Sequence, residues 1–205
     1  MLCVGGRSLS TKDYARACEA VTALKLTGTN KEFAAYWLSR WRNNSAPKMN
    51  SFILHRDSQY APATGVMEVR QNQSLRCIRG GAFIKLALGF DLTNQDILAM
   101  TAEGDRAARL AWAWQIAKGA VAVARRPFQT RGGLGGSVQI VFLPFSDEKS
   151  DGSRYFQMHT NWRPEHADWI EGSVTVDLQS LAERNIISFN NPMPENPETA
   201  NIAFV

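Results

Sequence analysis

Three histidines, three cysteines and scattered carboxylates are the side chains in this 205-residue chain that could ligate a metal, attack a carbonyl or move a proton. Metal binding needs ligands that converge on one point, and acid–base catalysis asks the same of a donor and an acceptor. His55, His159 and His166 form neither an H-E-x-x-H nor an H-x-H pair, and His166 lies beyond Pro164. Surface or hydrogen-bonded histidines are the ordinary reading, so no metal site is expected. Cys3, Cys18 and Cys77 are odd in number and lack a C-x-x-C spacing. That argues against a disulfide framework or zinc and fits a reducing compartment. His55-Arg56-Asp57 imitates a kinase catalytic loop, but Pro62 stands five positions beyond Asp57 where that loop has Asn, and no D-F-G follows. Gly132-Gly133-Leu134-Gly135-Gly136 lacks the G-x-G-x-x-G pattern and reads as a flexible hairpin, and no G-x-S-x-G elbow occurs. No catalytic residue is therefore expected.

The basic residues form three small groups: Arg76 with Arg79, Arg106 with Arg109, and Arg125 with Arg126. Their ordinary place is a solvated surface; the chemical alternative is an acidic partner or an anionic ligand. The net charge of +4 is too small to imply nucleic acid unless it gathers on one face. Aromatic residues do not interleave with the arginines as they do in single-strand binders, so nucleic acid is an unfavoured partner. An accessory nucleic-acid role rests on basicity alone and predicts a steep salt slope.

The elements that would position these groups follow from periodicity. With 44% hydrophobic and 20% charged residues, the chain can build a packed core of one medium domain. Tyr14, Ala17, Cys18, Val21 and Leu24 fall on one stripe and predict a helix over 11–25, stopped by Thr27-Gly28. Thr29-Asn30-Lys31-Glu32 has the form of a capping box, whose Thr would contribute about 1 kcal/mol. It would open a second helix over 30–43 that carries Phe33, Tyr36, Trp37 and Trp41. An irregular connection over 45–64 leads to two short extended runs, Val66–Arg70 and Leu75–Arg79, joined by a four-residue loop. A short helix over Ala82–Leu88 stops at Gly89, Thr93 caps a turn through Asp96 to Leu98, and a longer helix covers 102–118. From Gly119 the period becomes two. Val121 to Phe128, Val138–Phe145 and Tyr155–Trp162 read as strands, and the short turns between them require antiparallel neighbours. Beyond Pro164, Val174–Leu178 reads as a strand, Leu181–Asn185 as a helical turn, and Asn190–Glu198 as loose. The order is that of an α+β protein, not of alternating βαβ units.

Several of these segments together carry a resemblance. Tyr36-Trp37-Leu38-Ser39-Arg40-Trp41 precedes the hairpin, whose Leu75-Arg76-Cys77-Ile78-Arg79-Gly80-Gly81 leads to Gly89-Phe90-Asp91-Leu92-Thr93. Leu143-Pro144-Phe145-Ser146-Asp147 then enters an acidic turn ending in Asp151-Gly152. The stretch from about 33 to 165 resembles the divergent PAS-domain family of alphaproteobacteria. That resemblance implies a five-stranded antiparallel sheet of order 2-1-5-4-3, short helices around a small cavity on one face, and a leading helix that covers the other face or builds a dimer. It further implies a non-catalytic sensory or signal-transduction module that binds a small ligand, a protein partner or both. The domains would be an N-terminal helix over 1–28, a PAS-like domain over 29–165 with its aromatic helix, and a partly loose extension over 166–205. Light-sensing relatives carry a reactive cysteine on a helix, whereas Cys77 falls in a strand, and the 102–118 helix has no histidine. Flavin and haem are thus disfavoured. No cofactor is expected, and an unidentified small ligand is left open.

The residues themselves refine two points. Val138, Ile140 and Phe142 alternate with Gln139, Val141 and Leu143, so both faces of that strand are largely apolar. A face left in water would carry polar residues at alternate positions. The outer face, with Val141 and Leu143, is therefore expected to be covered by Phe33, Trp37 and Trp41 or by a second subunit. Each such buried side chain contributes about 1.5–3 kcal/mol or more. The inner face is expected to line a cavity through Phe83, Leu98, Trp112, Phe142 and Met158, an apolar lining typical of small-molecule pockets. His159 should point away from Met158. A cone-shaped α+β enzyme or binding protein using Asp91, Asp96 and His159 is the rival reading, and it would need a long, strongly bent sheet. Residues 107–124 hold Arg109, Gln115 and Lys118, so no membrane span is expected. Met1 to Ser10 has no apolar signal core, and a cytoplasmic protein, acting as a homodimer or on a signalling partner, is expected.

Overall fold

The computed structural model describes residues 12–43, 45–52, 58–71, 73–130, 135–161, 174–176 and 183–188. Helix α1 (Lys12–Ala23) buries Ala17 and Ala20, with Leu24 just beyond its end, and leaves Tyr14 exposed. Lys25, in the left-handed region at φ +50°, turns the chain out of it. Thr27-Gly28 does not stop α1 but opens α2 (Gly28–Ser39). Thr27 holds the extended N-cap position, and its amide donates to the side-chain oxygen of Gln139 at 3.0 Å. Asn30, fully buried, donates from Nδ2 to the Gln139 carbonyl at 2.8 Å. The capping box at Thr29 is therefore not formed: a tertiary anchor begins the helix two residues earlier and places Thr29 inside its first turn. The helix also ends four residues short of the expected 43. The Arg40 and Trp41 amides bond three residues back, to the Trp37 and Leu38 carbonyls, which tightens and closes the last turn.

Strands β1 (Thr64–Arg70) and β2 (Ser74–Arg79) form an antiparallel hairpin. The free edge of β2 is occupied by residues 94–97, where Cys77 donates to the Gln95 carbonyl, Asn94 to the Cys77 carbonyl and Ile97 to the Leu75 carbonyl. Thr93 thus caps no helix; its hydroxyl accepts the Gly80 amide at 3.0 Å. Helix α3 (Ala82–Leu88) ends in the left-handed Gly89, φ +75°. A 3-10 turn at Glu103–Asp105 occupies the start of the expected 102–118 helix, and α4 (Arg106–Ala117) follows it.

Strands β3 (Ala120–Thr130), β4 (Gly135–Glu148) and β5 (Arg154–Thr160) then form an antiparallel meander. β5 pairs with β1, so the sheet runs β2-β1-β5-β4-β3-β6, with β6 at Val174–Val176. The expected five strands are too few. Residues 183–185, expected as part of a helical turn, begin β7 (Glu183–Ser188), which pairs with Ala120 to Arg125 of β3. Two pieces of the expected C-terminal extension therefore belong to the sheet. The glycine cluster over 132–134, His55, His166, Cys3 and the 190–198 stretch lie outside the described residues.

Alternation on the strands separates two hydrophobic clusters, one on each face. Val121, Val123, Val141, Leu143, Phe145 and Tyr155 meet Phe33, Trp37 and Trp41 from α2 and its exit. These three aromatics are at most 7% exposed, so the outer face is covered within the chain. Trp37 also donates its indole N–H to the Pro144 carbonyl at 3.0 Å. Ala122, Ala124, Phe142, Phe156 and Met158 face the opposite way, against α3, α4 and the 92–100 segment.

Candidate functional site

The inner cluster is not completely filled. A cavity of about 130 Å³ remains between the sheet, α3 and α4. Its floor is laid in rows by the strand register. Phe142 stands opposite Met158, Ile140 opposite Ala124 and Thr160, and Val138 opposite Arg126. Its roof comes from Ile84 and Leu88 of α3 and from Arg109 and Trp112 of α4, one helical turn apart. Trp112 meets Phe142 edge-on, with ring centroids 4.7 Å apart.

Of the five expected cavity residues, Trp112, Phe142 and Met158 line this space. Phe83 and Leu98 do not, although Leu98 packs against the same cluster. The phase of α3 is the reason for Phe83: its buried side chains are Ile84 and Ala87, so Phe83 lies to one side. The backbone fixes that phase, because Gly81 packs so tightly on Pro62 that a Cβ would fall 2.2 Å from the Pro62 carbonyl oxygen.

The polar part of the lining was not evident from the residue types. Arg126 is only 9% exposed and Arg109 is partly buried, so neither belongs to the solvated surface. Burial lowers the Arg109 pKa from its ordinary value, opposed by the charge of Asp105. The usable signal was parity: Arg126 is in step with Ala122 and Ala124, whereas Arg125 is exposed. Thr160, 5% exposed, completes the set, and its hydroxyl has no hydrogen-bond partner among the described residues. Among the described residues no carboxylate lines the cavity.

His159 points away from Met158, into the outer cluster. Its ring stacks on Phe33 at 4.3 Å, and Nδ1 lies 3.0 Å from the Thr64 hydroxyl. That hydroxyl gives its single proton to the Tyr60 carbonyl at 2.7 Å, so it accepts from Nδ1–H and the lone pair sits on Nε2. Burial alone pushes the His159 pKa down to about 3. Asp91 and Asp96, the other members of the rival acid–base set, accept the Thr93 and Leu98 amides in the segment beside β2, and the structure does not bring them into the His159 cluster. Cys77 is fully buried in the inner cluster, and desolvation raises its thiol pKa to about 11, which suppresses the nucleophilic thiolate.

A second cavity, of about 200 Å³, lies on the outer side between β1, β2 and the segment before them, with Arg79 and Gln157 in its wall. Arg76 remains exposed, and Arg106 donates to the Thr101 carbonyl. Among the described residues no cluster of three potential metal ligands occurs, and no helix is long and apolar enough to cross a membrane. Comparison with protein-family models, with curated proteins and with solved structures finds no match.

Proposed function

We propose that this chain is a non-catalytic, PAS-like sensory module of the cytoplasm that binds a small ligand and passes the change to a protein partner or to its own dimer. The observation that carries the reading is the cavity of about 130 Å³ between an antiparallel sheet below and two helices above. A void of about 150 Å³ with comparable apolar walls accepts benzene or xenon. The stretch β2-β1-β5-β4-β3 within the sheet, with α3 and α4 inserted between the hairpin and the meander, supports the PAS-like assignment. The cone-shaped rival wants long, strongly bent strands throughout, whereas β1 and β2 have seven and six residues.

Ligand action requires unequal affinity for two arrangements of the protein. Here the occupant would press on α3 and α4, whose side chains form the roof. Methyl-labelled methionine provides the test, because Met67, Met100 and Met158 line the cavity. Titration with benzene should move these three methyl resonances in a saturable way. Saturating benzene that leaves all three unmoved overturns the reading. Native mass spectrometry, set against the denatured mass, reports retained ligand and subunit number together.

A further inference from the structure

We infer that the inner cavity takes a small amphipathic carboxylate, an apolar body of about six carbons with one anionic head, and that Arg126 and Thr160 hold the head. This rests on the cavity being a ligand site, as proposed above.

The sign of the ligand follows from the wall. Among the described residues, the polar side chains in it are two guanidiniums, one hydroxyl and one indole, with no carboxylate. A cationic ligand would meet two like charges in a poorly solvated space, where repulsion is strong. A neutral apolar ligand would leave the Thr160 hydroxyl buried without a partner. An anion satisfies that hydroxyl and draws on the guanidiniums. Arg109 and Arg126 have interactions of their own. Each guanidinium has five N–H donors, and carboxylates are its natural bidentate partners.

The placement of the head follows from the sheet register. Arg126 on β3 pairs with Val138, and Thr160 on β5 pairs with Ile140, two residues further along β4. The two polar groups therefore flank β4 from opposite sides, two strand spacings across and two residues along, roughly 12 Å apart at their backbones, a span that the long arginine side chain can shorten to one shared head. The next row of the floor, Phe142 with Met158, is wholly apolar. Polarity thus falls along the cavity from one end to the other, as an amphipathic molecule requires. The body is bounded by volume: a space close to that which accommodates benzene admits a single ring or a short alkyl chain.

Benzoate and hexanoate, with benzamide and 1-hexanol as uncharged counterparts and benzene as the apolar probe, provide the test by calorimetry and by the methionine methyl shifts. Each acid should bind at least tenfold more tightly than its uncharged counterpart. Arg126→Met should remove that advantage and leave benzene binding intact, and Thr160→Val, nearly the same in shape, should reduce it. Equal affinity for acid and uncharged counterpart overturns the inference while the cavity reading stands, as does an unchanged preference in both variants. Benzene and the acids all failing to move the methyl resonances overturns both. If Arg126→Met does not fold, Thr160→Val and Arg109→Met decide the same question, and a preference unaffected in both counts against it.

Discussion

His159 should make the stability of this protein depend on pH in a window where few other groups act. The perturbation is His159→Asn, whose amide can donate to the Thr64 hydroxyl as Nδ1–H does but cannot titrate. In the folded protein the imidazole is buried against Phe33 with a pKa near 3, against an ordinary value of 6.5. Because the folded pKa is depressed, the unfolded chain binds the extra proton between pH 6.5 and 3. Stability is then full above about pH 6.5 and declines as the pH falls through this window. At pH 5 the loss is RT ln(1 + 10^1.5), about 2 kcal/mol, compared with almost nothing at pH 7.5. For a chain of this length that corresponds to a fall in Tm of roughly 4–8 °C. The carboxylates with lowered pKa, Glu68, Asp91 and Asp151, contribute stability that is present above the ordinary carboxylate range and is lost as the pH falls below it, so they change little between pH 5.0 and 7.5. Urea denaturation at pH 5.0 and 7.5 measures the difference directly. The variant should be less stable than the parent at pH 7.5 and show a pH difference smaller by about 2 kcal/mol. Parallel pH dependence in the two proteins refutes the burial of a neutral imidazole.

Gly81→Ala should destabilise the fold by about 3 kcal/mol in the same assay, because the new Cβ meets the Pro62 backbone, which has no flexible end to move aside. Gly104→Ala, with nothing within 4 Å, should remain within about 0.5 kcal/mol of the parent. Lys149→Met removes a 2.7 Å ion pair with Glu68. Since the lysine side chain is 55% exposed, the cost should stay below about 1 kcal/mol and shrink further in salt.

The parts of the fold that were legible from sequence carried local signals at both ends. Helix α3 began after a glycine pair and stopped at Gly89, and the expected and observed limits coincide. The start of α2 was misplaced because its anchor, Gln139, is more than a hundred residues away, and no local pattern at Thr27 reveals it. β7 was missed for a related reason. Ile186 packs against the inner cluster and Ile187 against the outer one, so the pair reads as a strand only once β3 supplies an edge. In the site, Phe83 was expected to line the cavity, while helical phase turns its neighbour Ile84 inward instead. The expected aromatic cover and cavity positions Phe33, Trp37, Trp41, Trp112 and Phe142 are so placed because large apolar side chains at regular spacing have few places to go.

Thr160 in the cavity wall and His159 against Phe33 are consecutive residues whose side chains leave one strand in opposite directions. The partition between the two halves of the interior is therefore one peptide thick at this point. Any occupant that tilts the Thr160 peptide also turns the imidazole under α2, without a relay of intervening side chains. The helix that seals the far side sits directly behind the wall that a guest would push.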